Sequence, residues 1–405
     1  MRMMLPSQKK HRTTPDRNFN GYMRVSKNII SLIMVLIIST NATYAQVRSG
    51  LSISLLTCSQ GDELYSTFGH TAIRVIDSVS LTDIVFNYGT FEFDDPSFYS
   101  KFVRGKLNYF LSAEQFNDFK AVYEYEKRGI IEQELVLTDQ EKMSIRDKLY
   151  NNIKEENKFY KYDFLFDNCT TRVRDIIFNT KKYNTTIPFV TPESFTFRNA
   201  IHEYLDKGNK HWSKLGIDIL LGSPTDQKMN AYQGLFLPDN LMKALDSCSK
   251  QSQQYTVSSR TILKGNSTPA QNTRFIPLFI FTVIFGGCAL LLFAKNSILK
   301  KTSNIISRSF LFITALLGVL LIFMWAGTDH AMCKYNYNLL WALPTNIILA
   351  FANRQSKVFR ILSPITVMVL VVLLSTWLIL PQQLNIALIP LILYLTLALI
   401  KISRS

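Results

Sequence analysis

The chain has 405 residues, more than one ordinary domain holds, and its 47% hydrophobic content is concentrated between Phe275 and Ile400 rather than spread evenly. The net charge of +15 does not point to nucleic acid, because the basic residues form no patch interleaved with aromatic side chains. They gather in an N-terminal leader and in the loops between apolar runs, where Lys and Arg orient a chain in a membrane.

Residues 1–45 read as a leader. The apolar stretch Ile29 to Ile38 follows Arg24 and Lys27 and precedes Thr43-Tyr44-Ala45, the pattern of a secretory signal cut after Ala45. An uncleaved anchor is the alternative, since Met1 to Tyr22 makes a long basic lead-in.

Residues 46–246 read as one exported α+β domain. Gly50 to Leu56, His70 to Ile76 and Ile84 to Tyr88 have the alternating or β-branched character of half-buried strands. Thr138 with Glu141 forms a capping box that opens a surface helix running to Glu156. A second helix is predicted at or near Cys169, capped by Asp167 or Asn168, with Val173, Ile176 and Ile177 on its buried face. Ser247 to Thr273, rich in Ser, Gln, Thr and Asn and without periodicity, reads as a polar tether over residues 247–273.

Residues 274–405 read as an all-α membrane domain of about five spans: Phe275 to Phe293, Ser309 to Ala326, Leu339 to Ala352, Ile361 to Leu380 and Leu384 to Ile400. The third is short and holds Pro344. Lys295, Lys300, Lys301 and Arg308 fill one loop and Arg354, Lys357 and Arg360 another, whereas Gly327 to Asn338 carries only Lys334. The positive-inside rule then puts the N-terminal domain outside the cytoplasm, in agreement with the signal.

The chemistry is concentrated in Tyr162-Asp163-Phe164-Leu165-Phe166-Asp167-Asn168-Cys169-Thr170-Thr171-Arg172 and in Phe68-Gly69-His70-Thr71-Ala72-Ile73-Arg74. A cysteine at a helix N-terminus meets unpaired backbone N–H groups and the positive end of the macrodipole, which favour the thiolate. A histidine heading a strand is held well enough to act as its general base. A buried structural cysteine and a core histidine are the alternatives that residue chemistry leaves open.

A strand-borne His followed about a hundred residues later by Asn-Cys opening a helix resembles the permuted papain-like group that includes the lecithin:retinol acyltransferases. NlpC-like peptidases carry the same site in the opposite order. More closely, the chain resembles the bacterial lipoprotein N-acyltransferases of the Bacteroides type, Lnb. The resemblance rests on Gly61 to Val75, Asn87-Tyr88-Gly89-Thr90-Phe91, the Asp163 to Arg172 segment, Thr328-Asp329-His330, and Asn336-Tyr337-Asn338-Leu339-Leu340-Trp341. It covers the chain from Leu51 to about Pro344.

The resemblance implies that Cys169 takes an acyl chain from a phospholipid as a thioester and passes it to the N-terminal amine of a lipoprotein, without a cofactor. Asn87, on the next strand, is the candidate to orient His70 through its amide oxygen. Arg74 shares the His70 face and is a candidate for a lipid phosphate, with a salt bridge as its alternative. Asp329 and His330, on the exported side of the second span, are candidates for a headgroup or the acceptor amine, with simple solvation as theirs. Cys58 and Cys248 are a candidate disulfide, and His202 and His211 lack metal-ligand spacing, so no metal is expected. An NlpC-like peptidoglycan amidase or peptidase and a non-catalytic lipoprotein-binding scaffold stand as the other readings.

Overall fold

The computed structural model describes residues 50–92, 96–181, 187–250, 255–265 and 276–404. The predicted signal lies outside the described residues.

The N-terminal domain is built on an open antiparallel sheet of seven strands in the order β6-β4-β3-β2-β1-β5-β7. Its strands are β1 (Leu51–Cys58), β2 (His70–Asp77), β3 (Thr82–Thr90), β4 (Asn108–Gln115), β5 (Ile130–Leu135), β6 (Phe159–Lys161) and β7 (Thr256–Leu263). The helices of six residues or more are α1 (Phe98–Val103), α2 (Phe116–Tyr125), α3 (Asp139–Asn152), α4 (Cys169–Thr180), α5 (Phe197–Lys207), α6 (His211–Leu220) and α7 (Pro238–Lys250).

The three strands predicted at the start of the chain are present, but β1 and β2 are buried on both faces rather than one. Leu51, Ile53, Leu55, Ile73, Phe86 and Tyr88 pack under α3, α4 and α7, while Leu56, Cys58, Ala72 and Val85 pack under Phe116, Phe119 and Tyr123 of α2. Two covered faces account for the weak alternation of these strands. The Thr138 capping box and the Asn168 cap of α4 are both formed.

The expected tether is not structureless. Residues 256–263 form β7, which pairs with β5 at the sheet edge. Most of its side chains are exposed, and its polar composition suits a strand that pairs on one side and faces water on the other. A search for apolar periodicity has nothing to find in such a strand.

The C-terminal part contains α8 (Ile276–Leu292), α9 (Ser297–Ala326), α10 (Asn346–Phe351), α11 (Lys357–Ser375) and α12 (Ile389–Arg404). Among the described residues three helices are long and apolar enough to cross a membrane, α9, α11 and α12 with the turn before it, and α8 is a shorter apolar helix. The third predicted span is not a continuous helix. It descends through a 3-10 turn (Tyr337–Leu340), the Pro344 bend and the short α10.

Irregular backbone at membrane depth requires protein around it. Trp341 and Ala342 are buried, the indole N–H donates to Asn338 Oδ1 at 2.9 Å, and Arg308 of α9 donates to the carbonyls of Ala350 and Ala352. Gly318 makes this approach feasible: a Cβ there would stand 1.9 Å from the Ala342 carbonyl oxygen.

The exported and membrane parts are joined by a buried polar clamp on residues 218–226. Arg198, fully buried on α5, donates to Asp218, Asp226, Thr225 and the carbonyls of Leu221 and Gly222. From the membrane side, Asn336 and Asn338 donate to the carbonyls of Asp218, Ile219 and Leu220, Gln382 to that of Leu221, and Asn385 to the Asp218 carboxylate. The Gly222 N–H donates to the Met332 carbonyl at 2.7 Å. A second contact pairs Asp329 with Lys161 of β6.

Candidate active site

The turn that presents Cys169 is determined locally. Asp163 and Asp167 exchange backbone hydrogen bonds, and Asp163 Oδ1 accepts from the N–H groups of Leu165 and Phe166. The chain then enters α4 through Asn168. Its Oδ1 accepts from the Thr171 N–H at 2.8 Å, the Thr171 hydroxyl accepts from the Asn168 N–H, and Nδ2 donates to the carbonyls of Phe164 and Phe236. Every polar atom of the Asn168 side chain is thus engaged in placing the next residue. Arg172 locks the turn from the following helical turn through a two-pronged bond to Asp167 at 2.6 and 2.8 Å.

The helix start is tied to the head of β2. Thr71 and Thr170 share a hydroxyl hydrogen bond at 3.0 Å, and the Thr71 backbone N–H donates to the Cys169 sulfur. His70, immediately before Thr71, bonds the thiol through its imidazole. Its Nε2 is engaged by Asn87 Oδ1 at 2.5 Å, which leaves Nδ1 for the sulfur. Strand alternation explains the pairing: His70 on β2 and Asn87 on β3 project from the same face of neighbouring strands.

Electrostatics follow from this geometry. Burial alone would raise the Cys169 thiol, but the charge and hydrogen bond of His70, with the Thr71 N–H and the Thr170 hydroxyl, bring it down to about 7. Burial would lower His70, yet the thiolate and the bonds to Cys169 and Asn87 carry it above its ordinary value. The pair therefore favours thiolate and imidazolium, the reactive form of a cysteine nucleophile.

The structure brings Cys169, His70 and Asn87 together and leaves the other candidates elsewhere. Arg74 is buried and spent on structure: it bonds Asp83 at 2.6 and 2.7 Å and Glu132 at 3.1 Å, and its guanidinium lies 3.4 Å from the centre of the Phe116 ring. This is the salt-bridge alternative for Arg74, formed with carboxylates on β3 and β5. Asp329 and His330 contact Lys161 and the Phe102 carbonyl, so they belong to the seam between the two parts. Cys58 and Cys248 are both free and buried in different core clusters, so the candidate disulfide is not formed. Among the described residues no group of His, Cys, Asp and Glu is arranged to hold a metal ion.

Sequence reasoning missed Glu114. It hydrogen-bonds the Asn87 side chain, and burial raises its carboxyl above the usual range. The row is therefore Cys169, His70, Asn87, Glu114. Glu114 lies on β4, and only the β3–β4 register, with Asn87 opposite Ser112, brings it near. Nothing in the local sequence announces that register.

Comparison with known proteins places both parts of the chain in one family. A family model described as the Lnb N-terminal periplasmic domain matches residues 41–199, and one described as the Lnb transmembrane domain matches residues 269–404. No curated protein and no solved structure matches the chain. Both family models carry the same family's description and take up the exported and membrane parts in order, so the chain belongs to the Lnb family: it is an inner-membrane, thiol-dependent acyltransferase with a periplasmic catalytic domain, which N-acylates lipoproteins with a phospholipid acyl chain.

Proposed function

We propose that Cys169 is the thiol of this acyltransferase, His70 its base and Asn87 the group that orients His70. The observation that carries the reading is the hydrogen-bonded row of Cys169, His70 and Asn87 at the N-terminus of α4. The Cys169 thiolate attacks the carbonyl carbon of a glycerol ester in the donor. The C–O bond breaks, the departing alkoxide takes a proton from the His70 imidazolium, and a lysophospholipid leaves.

The second half-reaction consumes the thioester. The α-amino group at the N-terminus of a diacylated lipoprotein attacks the same carbon, His70 takes the amine proton, and the thiolate departs. A thioester persists for this step where water is scarce and an amine is held close. The exported unit in this reading includes β7 at the edge of its sheet.

A row of rings supports a lipid donor. Tyr162 stacks on Tyr109 at 4.3 Å between centroids, Tyr109 meets Phe91 at 5.3 Å, Phe91 meets Phe98 at 5.9 Å and Phe98 meets Phe102 at 6.1 Å. Tyr162 flanks Gly89 beside Cys169, and Phe102 is held by His330 of the membrane loop. An acyl chain following these rings passes from the bilayer side to the thiol over apolar surface.

Mass spectrometry of the full-length protein incubated with phosphatidylethanolamine tests the reading. A hydroxylamine-labile acyl adduct on Cys169, absent from Cys169→Ser and passed on to a diacylated lipopeptide, is the expected result. Lipopeptide acylation by Cys169→Ser at the native rate would refute it.

A further inference from the structure

Tyr160, in the middle of β6, is 8% exposed, and its hydroxyl has no hydrogen-bond partner. Buried hydroxyls are rarely left so, and one beside a nucleophile calls for an explanation. Its position supplies one. Gly89 has φ +91°, and a Cβ built on it would stand 3.7 Å from the Cys169 Cβ, 3.9 Å from the Tyr160 Oη and 4.0 Å from the Tyr162 Cε2. The nucleophile and the unpaired phenol therefore border one small space, which a glycine leaves open. The separation of Cys169 Cβ from Tyr160 Oη cannot exceed the sum of the first two distances.

The ring is held from several sides. β6 pairs with β4, with Tyr160 opposite Tyr109, and Tyr88 meets its edge. The Arg172 guanidinium lies 3.5 Å from the ring centroid and is itself fixed by Asp167. A cation on the face of a phenol draws electron density from it and strengthens the hydroxyl as a donor. Burial pushes Tyr160 well above the usual tyrosine range, and the charge of Cys169 adds to this, so the group stays protonated and can only donate to an anion.

We propose that the Tyr160 hydroxyl, together with the Cys169 backbone N–H at the free start of α4, forms the oxyanion hole of this acyltransferase. The proposal rests on Cys169 being the nucleophile. When the thiolate attacks the ester, the C–S bond forms and the carbonyl π pair moves to oxygen. That oxyanion accepts hydrogen bonds from Tyr160 and Cys169 until the π bond reforms and the alkoxide departs with the His70 proton. Attack of the amine on the thioester raises an oxyanion in the same place, and it collapses with loss of the thiolate. A donor without a partner in the free enzyme and paired only with the developing charge stabilises the transition state more than the ground state.

The test compares native protein with Tyr160→Phe, which keeps the ring and its Arg172 contact and removes only the hydroxyl. Two rates are read at Cys169: acyl-adduct formation from phosphatidylethanolamine in detergent micelles, and alkylation by iodoacetamide, which needs the thiolate but forms no oxyanion. The expected result is adduct formation slower by roughly a hundred- to a thousand-fold, with unchanged KM for phospholipid and unchanged alkylation. Adduct formation at the native rate would overturn the proposal. A parallel fall in alkylation would also overturn it, by showing that Tyr160 only maintains the shape of the site. Native protein that never acylates Cys169 would instead remove the nucleophile assignment, and the oxyanion hole with it.

Discussion

Asn385, just before the last span, donates its amide N–H to the Asp218 carboxylate at 2.8 Å, and Asp218 is in turn bound to Arg198 at 2.8 Å inside the exported domain. A side chain from the membrane part thus completes a buried charge cluster of the catalytic part. The catalytic domain is seated on its spans rather than hung from a cord, and the distance from Cys169 to the bilayer is set by packing.

Loss of this seat has a measurable cost. Arg198→Met leaves Asp226 without its cation and Asp218 with only the His202 ring beside it, a change that costs about 3–5 kcal/mol. A marked fall in the thermal unfolding midpoint in detergent is expected. Replacing the native spans by one unrelated transmembrane helix should likewise abolish N-acylation in vesicles, because that helix supplies neither Asn336, Asn338, Gln382 nor Asn385. Full activity of such a chimera would show that the spans only anchor.

The thiol should titrate early. With Cys169 lowered to about 7, its iodoacetamide rate should be small below pH 6, rise through a midpoint near 7 and level off above it, since only the thiolate reacts. Removing the imidazole in His70→Ala withdraws the main opposing influence on burial, so the midpoint should move up, past the ordinary thiol value of about 8.5. Rates across pH 5 to 10 for both proteins decide this.

Glu114 acts through Asn87, so its contribution depends on accepting a hydrogen bond rather than on its charge. Glu114→Gln keeps an acceptor and should retain most activity, whereas Glu114→Ala should lose roughly ten-fold or more in kcat with KM little changed. Equal activity of the two variants, measured as lipopeptide acylation, would remove the carboxylate from the row.

Topology should follow the basic loops. Reporters fused after Lys301 or Arg360 should be cytoplasmic, and one fused after Asp246 exported. Gly318→Leu should disturb this pattern at the Arg360 fusion, because even a Cβ at that position collides with the Ala342 backbone.

The site was legible where its logic is local. Asn168 before Cys169 is a cap before a helix, and the partnership of His70 with Asn87 follows from alternation along adjacent strands. What required the fold was register between distant segments. Arg74 lies on the His70 face as alternation says, but the carboxylates that neutralise it come from β3 and β5. Tyr160 reads as an ordinary aromatic strand residue until its unpaired hydroxyl is seen beside Gly89. β7 escaped because an exposed edge strand has little apolar signal, and the third span read as a helix because composition reports burial in lipid but not backbone hydrogen bonding.

The broken third span also bears on how the membrane part comes together. An uninterrupted apolar helix satisfies its own backbone and can enter lipid alone, but the segment between Asn338 and Ala352 cannot: its carbonyls rely on Arg308 of α9, and its indole and amides on one another and on Thr314. It has no lipid-stable state until α9 lies beside it. The broken segment therefore depends on α9 for its place in lipid in a way that an unbroken span would not.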